Sequence, residues 1–163
     1  MKKAIFAVLT LGLVYSCGNS TKPAESATTE NTAAPAEAKS YEFTLNAVGN
    51  TMADMGYDSK ELKVTSGAKV KINLTNQGTD ASMLHNVVIV KQGTEKEVAT
   101  EGISLKDKNY FNAENTNVIA GSAVAAPGAT VTVEFTAPAA GTYTYICTYP
   151  GHWMKMQGVL IVE

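Results

Sequence analysis

The chain has 163 residues, 45% of them hydrophobic and 17% charged, which suits one soluble domain and excludes a disordered chain or a bundle of membrane helices. Its formal net charge is −2, and all 13 of its cationic residues are lysine. Arginine is the side chain best shaped to grip phosphate and guanine, so this mildly acidic, arginine-free chain is expected to meet proteins and no nucleic acid.

Met1-Lys2-Lys3 opens the chain with positive charge, and residues 4–14 form an apolar stretch too short to span a bilayer as a helix. The stretch ends in Leu13-Val14-Tyr15-Ser16-Cys17, where a small residue precedes a cysteine. That pattern resembles a bacterial lipoprotein signal. The resemblance implies removal of residues 1–16, lipidation of Cys17 and export. Membrane contact would then be through the N-terminal lipid only, on the periplasmic or cell-surface side of a bacterial membrane. An ordinary secretory signal with an incidental cysteine is the alternative. The rest of the 17–40 segment is dominated by small, polar and proline residues and cannot bury enough surface to offset its ordering entropy. It reads as a flexible linker with a reach of about 25–30 Å.

From Tyr41 the pattern changes to short extended runs separated by turn residues, and residues 41–163 read as one all-β domain. Residues 41–48 alternate apolar and polar. A short run at 61–64 precedes the Ser66-Gly67 turn, and 70–75 alternates again before Asn76-Gln77-Gly78. Residues 87–90 are continuously apolar, as in a strand buried on both faces. The polar stretch 94–110 holds either a short helix or a flap. Residues 131–135, 141–146 and 158–162 complete the set. Such spacing predicts a β-sandwich or small barrel of about eight strands.

The chain has two histidines, His85 and His152, and two cysteines, of which Cys17 belongs to the leader. Cys147 is then the one thiol of the domain, which leaves it no disulfide partner there. Cys147, His152 and Met156 follow the pattern C-x4-H-x3-M. A thiolate, two imidazoles and a long thioether form the ligand set of blue-copper sites, and His85 is the only second imidazole available. Pro150-Gly151 turns the loop back on itself between two strands. Taken singly, each of these residues is more often core filling than a ligand; their convergence on one ligand set is what points to copper. Zinc accepts cysteine and histidine too, but methionine is a poor fourth ligand for it.

These residues resemble the cupredoxins, and within them the azurins and auracyanins. The likeness rests on Cys147-Thr-Tyr-Pro-Gly-His152 with Met156 and on Met83-Leu84-His85-Asn86. Val48-Gly-Asn, Lys108-Asn-Tyr and Asn117-Val-Ile-Ala add to it. It implies an eight-stranded Greek-key β-sandwich with one type 1 copper ion, Cu(I)/Cu(II), at one end. His85, Cys147 and His152 would be the equatorial ligands and Met156 the axial one. Asn86 would brace the ligand loop, and the Leu84 carbonyl would stand opposite the methionine. Three departures stand out: Leu84 replaces a glycine, the azurin disulfide is absent, and Val87 replaces an aromatic residue.

The function so implied is electron transfer outside the cytoplasm by a monomer, not an enzyme, with transient protein partners such as cytochrome-type donors, reductases or oxidases. The His152 ring edge would be the electron port, ringed by Met55, Met83, Tyr149 and Trp153. A copper carrier, an oxidase or nitrite reductase fragment and a metal-free adhesion sandwich are the rivals; the histidine count leaves no second copper site for the enzyme.

Overall fold

The computed structural model describes residues 39–163. The expected leader, the lipidated Cys17 and the linker lie outside these residues.

Among the described residues, nine strands form two mixed sheets. In the first, β1 (Ser40–Val48), β2 (Gly56–Tyr57), β4 (Lys69–Asn76) and β7 (Thr130–Thr136) are ordered β2-β1-β4-β7. In the second, β3 (Glu61–Val64), β5 (Val88–Lys91), β6 (Val118–Gly121), β8 (Gly141–Ile146) and β9 (Gln157–Val162) are ordered β3-β9-β8-β5-β6. β1 runs parallel to β4 and β3 parallel to β9; the remaining pairs are antiparallel.

The alternation read in the sequence sets the two faces of the first sheet. Leu45 and Ala47 of β1, Val70, Ile72 and Leu74 of β4 and Val133 of β7 all enter one core. The second sheet answers with Leu62, Val64, Ile89, Tyr145 and Leu160. Burying such side chains is the main term holding sheet to sheet.

The apolar run at 87–90 is buried on both faces. Val87 and Ile89 join the main core, while Val88 and Val90 join a second cluster with Ile146, Val98 and Ala99. Val98 and Ala99 come from α1 (Glu95–Gly102), so the polar stretch at 94–110 holds a short helix that roofs the outer face of the second sheet. Glu95 and Glu97 in its first turn complement the helix dipole. A 3-10 turn (Lys106–Lys108) follows.

Two strands were not legible as periodic runs. β2 has only two residues, too few for any alternation, and the four residues of β6 are all half-buried.

Gly158 of β9 lies against the Tyr145 ring, where any Cβ would overlap it. Tyr145 cannot retreat without losing the bond from its hydroxyl to the Ser59 carbonyl, 2.9 Å. Gly158→Ala is therefore expected to destabilise the domain by about 1–3 kcal/mol, the range for overpacking, as measured by urea unfolding.

Candidate metal centre

The loop 147–156 leaves β8 and enters β9, and its ends are clasped by a bond from the Cys147 N–H to the Met156 carbonyl, 3.0 Å. Within it the His152 N–H returns to the Tyr149 carbonyl, 3.0 Å, across Pro150 and Gly151. Gly151 has φ +85°, the left-handed value that the third position of a type II turn requires. The N–H groups of Lys155 and Met156 then both donate to the His152 carbonyl, at 3.1 and 3.0 Å. The loop thus coils so that Cys147, His152 and Met156 point inward, and all three are buried.

His85 arrives from the other side. It precedes β5 and forms a two-way bridge with Ala125, His85 N–H to Ala125 carbonyl at 3.2 Å and the reverse at 2.7 Å. Its Nδ1 lies 3.2 Å from His152 Nδ1 and 3.9 Å from Cys147 Sγ, and His152 Nδ1 lies 3.7 Å from the same sulfur. Met156 packs beside them as a fully buried side chain.

Burial sets the charge of this group. It pushes the Cys147 thiol up to about 12, with backbone N–H groups of Asn86 and Tyr149 pulling partly back. It holds His85 down to about 4, helped by His152, and His152 down to about 4. At neutral pH the three donors are therefore a thiol and two neutral imidazoles. Two ring nitrogens that face each other across 3.2 Å can share only one proton between them, so one lone pair always points into the space they enclose.

The residues present fit a metal ion. Bonds of about 2.0 Å to nitrogen and 2.3 Å to sulfur, spread near 120° apart, put donors about 3.5 Å (N to N) and 3.7 Å (N to S) from one another. The three observed separations bracket those values. One soft thiolate, two imidazoles and a neighbouring thioether suit type 1 copper, and a fourth strong donor of the kind zinc prefers is not among the described residues here.

Asn86 fastens the surroundings. Its Oδ1 accepts the Thr148 N–H at 2.8 Å, and its Nδ2 donates to Thr148 Oγ1 at 2.8 Å and to the Asn109 carbonyl at 2.7 Å. The Asn86 carbonyl accepts the hydroxyl of Tyr57, 2.5 Å away and fully enclosed. Burial, and then the nearby Cys147 and Tyr145, hold the Tyr57 phenol well above its ordinary value, so it remains a donor. Asn76 adds a second brace, donating to the carbonyls of Met83 (2.8 Å) and Ala125 (3.1 Å) on either side of His85. Leu84 is half-buried directly before His85, and Val87 is wholly in the core.

The expected docking ring needs correction. Met55 and Met83 are core residues, not surface ones, and Trp153 leans on the cluster beneath α1. Tyr149 is half-buried. The methionines at the surface are instead Met52, 50% exposed, and Met154, 64% exposed, with the Met52 methyl lying over Gly151. Asn86 was singled out in the sequence as a brace, but Asn76 and Tyr57 were not. Asn76 reads there as a turn residue, and Tyr57 stands in a strand too short to show a pattern.

The described domain can be set beside known proteins. A family model described as copper binding proteins, plastocyanin/azurin family, matches residues 41–163. Auracyanin-A of Chloroflexus aurantiacus is 42% identical over 119 residues, covering 71% of this chain and 72% of that protein. Azurin-1 of Alcaligenes xylosoxydans xylosoxydans is 35% identical over 126 residues, covering 73% and 96%. The solved structure of auracyanin A, titled a "blue" copper protein, superposes with a TM-score of 0.67 at 39% identity, covering 76% of this chain and 99% of that one.

Two expectations follow from the geometry. Asn86→Ala leaves Thr148, Asn109 and the ligand loop untied, and loss of such a ligand-orienting partner is expected to weaken metal affinity by about 10–100-fold in a competition titration. Metal binding must also displace the Cys147 proton. Between about 4, where both imidazoles become neutral, and about 12, where the thiol ionises, one proton is released per metal bound. Raising the pH therefore favours binding, with affinity climbing about tenfold per pH unit in that window. Below it the imidazole protons compete too, and the slope steepens. Titrations at several pH values in weakly coordinating buffers read the slope directly.

Proposed function

Because the chain belongs to the plastocyanin/azurin family of copper-binding proteins, we propose that His85, Cys147 and His152 hold one copper ion, with Met156 as a weaker axial ligand, and that the site passes single electrons between proteins outside the cytoplasm. The observation that carries this reading is the meeting of one thiol sulfur and two imidazole nitrogens within 3.2–3.9 Å, buried together in a β-sandwich. Copper bound there supplies a one-electron couple, Cu(I)/Cu(II).

The protein's part is to hold the donors still. His85 is clamped by Ala125 and by Asn76, and the ligand loop by its own turn and by Asn86. A donor set fixed before an electron arrives has little to rearrange, which favours fast exchange. Burial keeps water away from the sulfur and the imidazoles, so solvent contributes little reorganisation. His85 is fully enclosed while His152 keeps 2% of its surface, which makes His152 the ligand nearer to solvent. The Leu84 carbonyl, one residue before His85, is the candidate for a weak contact opposite Met156.

The partners fitting this reading are redox proteins that dock briefly: cytochrome-type donors, reductases or oxidases. The protein itself acts as a monomeric carrier and not as an enzyme, since both histidines of the chain serve one site. Cleavage before Cys17 and lipidation there would tether the domain to a bacterial membrane, on the strength of the Leu13–Cys17 pattern.

Adding Cu(II) to the metal-free protein is expected to give one bound equivalent, an intense blue absorption and reversible one-electron cycling. Cys147→Ser is expected to abolish the colour. A colourless or irreversibly reduced product would favour a copper carrier, and retention of copper and colour by Cys147→Ser would overturn the ligand assignment.

A further inference from the structure

His152, the ligand nearer to solvent, is itself covered. Tyr149 lies on its ring, with centroids 4.9 Å apart and planes at 53°. Tyr110 meets Tyr149 edge-on, with centroids 5.0 Å apart and planes at 70°. Both tyrosines are half-buried, and Tyr149 also packs against the main core, which leaves Tyr110 as the outer ring. Three aromatic rings therefore run from a metal-ligand candidate to solvent.

The backbone at Tyr110 is held in an unusual form to achieve this. Asn109 and Tyr110 have φ values of 58° and 62°, two successive left-handed residues, and a bulky aromatic side chain rarely adopts that conformation. Several contacts enforce it. The Tyr110 N–H donates to the Leu105 carbonyl at 2.9 Å, and the Asn109 carbonyl accepts Asn86 Nδ2 at 2.7 Å. Asn109 Oδ1 accepts the Val124 N–H at 3.2 Å. Gly102 of α1 passes so close to the Tyr110 carbonyl that any Cβ there would clash. A plain connection would place glycine at position 110. Strain maintained under a large ring points to a use for the ring.

We propose that electrons cross the protein surface through the Tyr149–Tyr110 pair, with Tyr110 as the point an external redox partner touches, rather than at the edge of the His152 ring. This rests on the copper reading above. One electron passes between the site and an external one-electron partner, which gives or takes it. The rings act as a bridge: neither phenol loses its proton, and no bond forms or breaks. The partner's contribution is an exposed conjugated edge able to lie against an aromatic ring. The Asn86 bond to Asn109 ties the outer ring to the same amide that fastens the ligand loop, so path and site are held by one residue.

The test compares Tyr110→Leu, which keeps apolar cover without a conjugated ring, with Tyr110→Phe, which keeps the ring without the hydroxyl. For each copper-loaded protein, three quantities are recorded: the blue absorption and reduction potential, the electron self-exchange rate by NMR line broadening, and the rate of oxidation by tris(phenanthroline)cobalt(III). Tyr110→Phe is expected to match the wild-type rates. Tyr110→Leu is expected to slow both rates several-fold with absorption and potential unchanged. Equal or faster rates in Tyr110→Leu overturn the proposal, faster ones showing that Tyr110 merely covers His152. A shifted potential or band in Tyr110→Leu also overturns it, since the ring would then act on the site and not on the path. If Tyr110→Leu fails to load copper, Tyr110→Asn, which tolerates left-handed backbone, takes its place with the same expected slowing. Absence of a blue band in the wild-type protein sinks the copper reading itself, whereas an intact band with equal rates sinks only the path.

Discussion

The Asn86 side chain ties together the approach to β5, the ligand loop and the segment carrying Asn109. Its oxygen takes the Thr148 N–H, its nitrogen gives both protons away, and its own backbone carbonyl receives the Tyr57 hydroxyl. The neighbouring His85 is thereby fixed relative to the ligand loop on one side and to the segment carrying Tyr110 on the other. A buried amide with both protons donated and its oxygen engaged adds direction to a core that would otherwise be held by non-directional burial. Remove it, and a histidine, the ligand loop and the segment under an outer aromatic ring lose the one side chain that bonds all three.

That direction matters because the donors, uncharged, gain little from each other beyond one short contact between imidazoles. A thiol and two neutral imidazoles brought together in an apolar interior have given up water without gaining a counter-charge, and His85 Nε2 has no partner among the described residues. The sandwich tolerates this arrangement because the two sheets bury a continuous core around it. A cation turns the same cluster from a cost into a source of stability, since a ligand that binds the folded form alone shifts folding by mass action. Fold and site are thus coupled in both directions.

Much of this was legible in the sequence, for physical reasons that differ by element. The strands at 41–48, 70–75 and 131–135 announce themselves because one face is buried and the other wet, and period two survives in the residue order. The double burial of 87–90 is legible as unbroken apolarity, although the helix that covers its outer face is not. The cluster of His85, Cys147 and His152 was legible from rarity: two histidines and one thiol of the domain leave few combinations. The exposure of individual methionines was not. Met55 and Met83 are buried and Met52 and Met154 are exposed, yet the same side chain serves equally well as core filler and as surface, so composition carries no sign of the difference. Asn76 and Tyr57 were hidden for another reason. Their roles depend on partners distant in the chain, which only the closed sandwich brings near.

The clasp between Cys147 and Met156 has a consequence for how such a centre changes over generations. Three of the four candidate ligands lie inside one loop whose ends are already neighbours in an antiparallel ladder, and the fourth stands just ahead of β5, bridged to Ala125. Insertions or deletions between the clasped ends alter the spacing of three donors at once while every rung of the sheet stays in register. The electronic character of the centre can therefore drift independently of the architecture that carries it, with His85 as the stationary reference against which each new loop is tried.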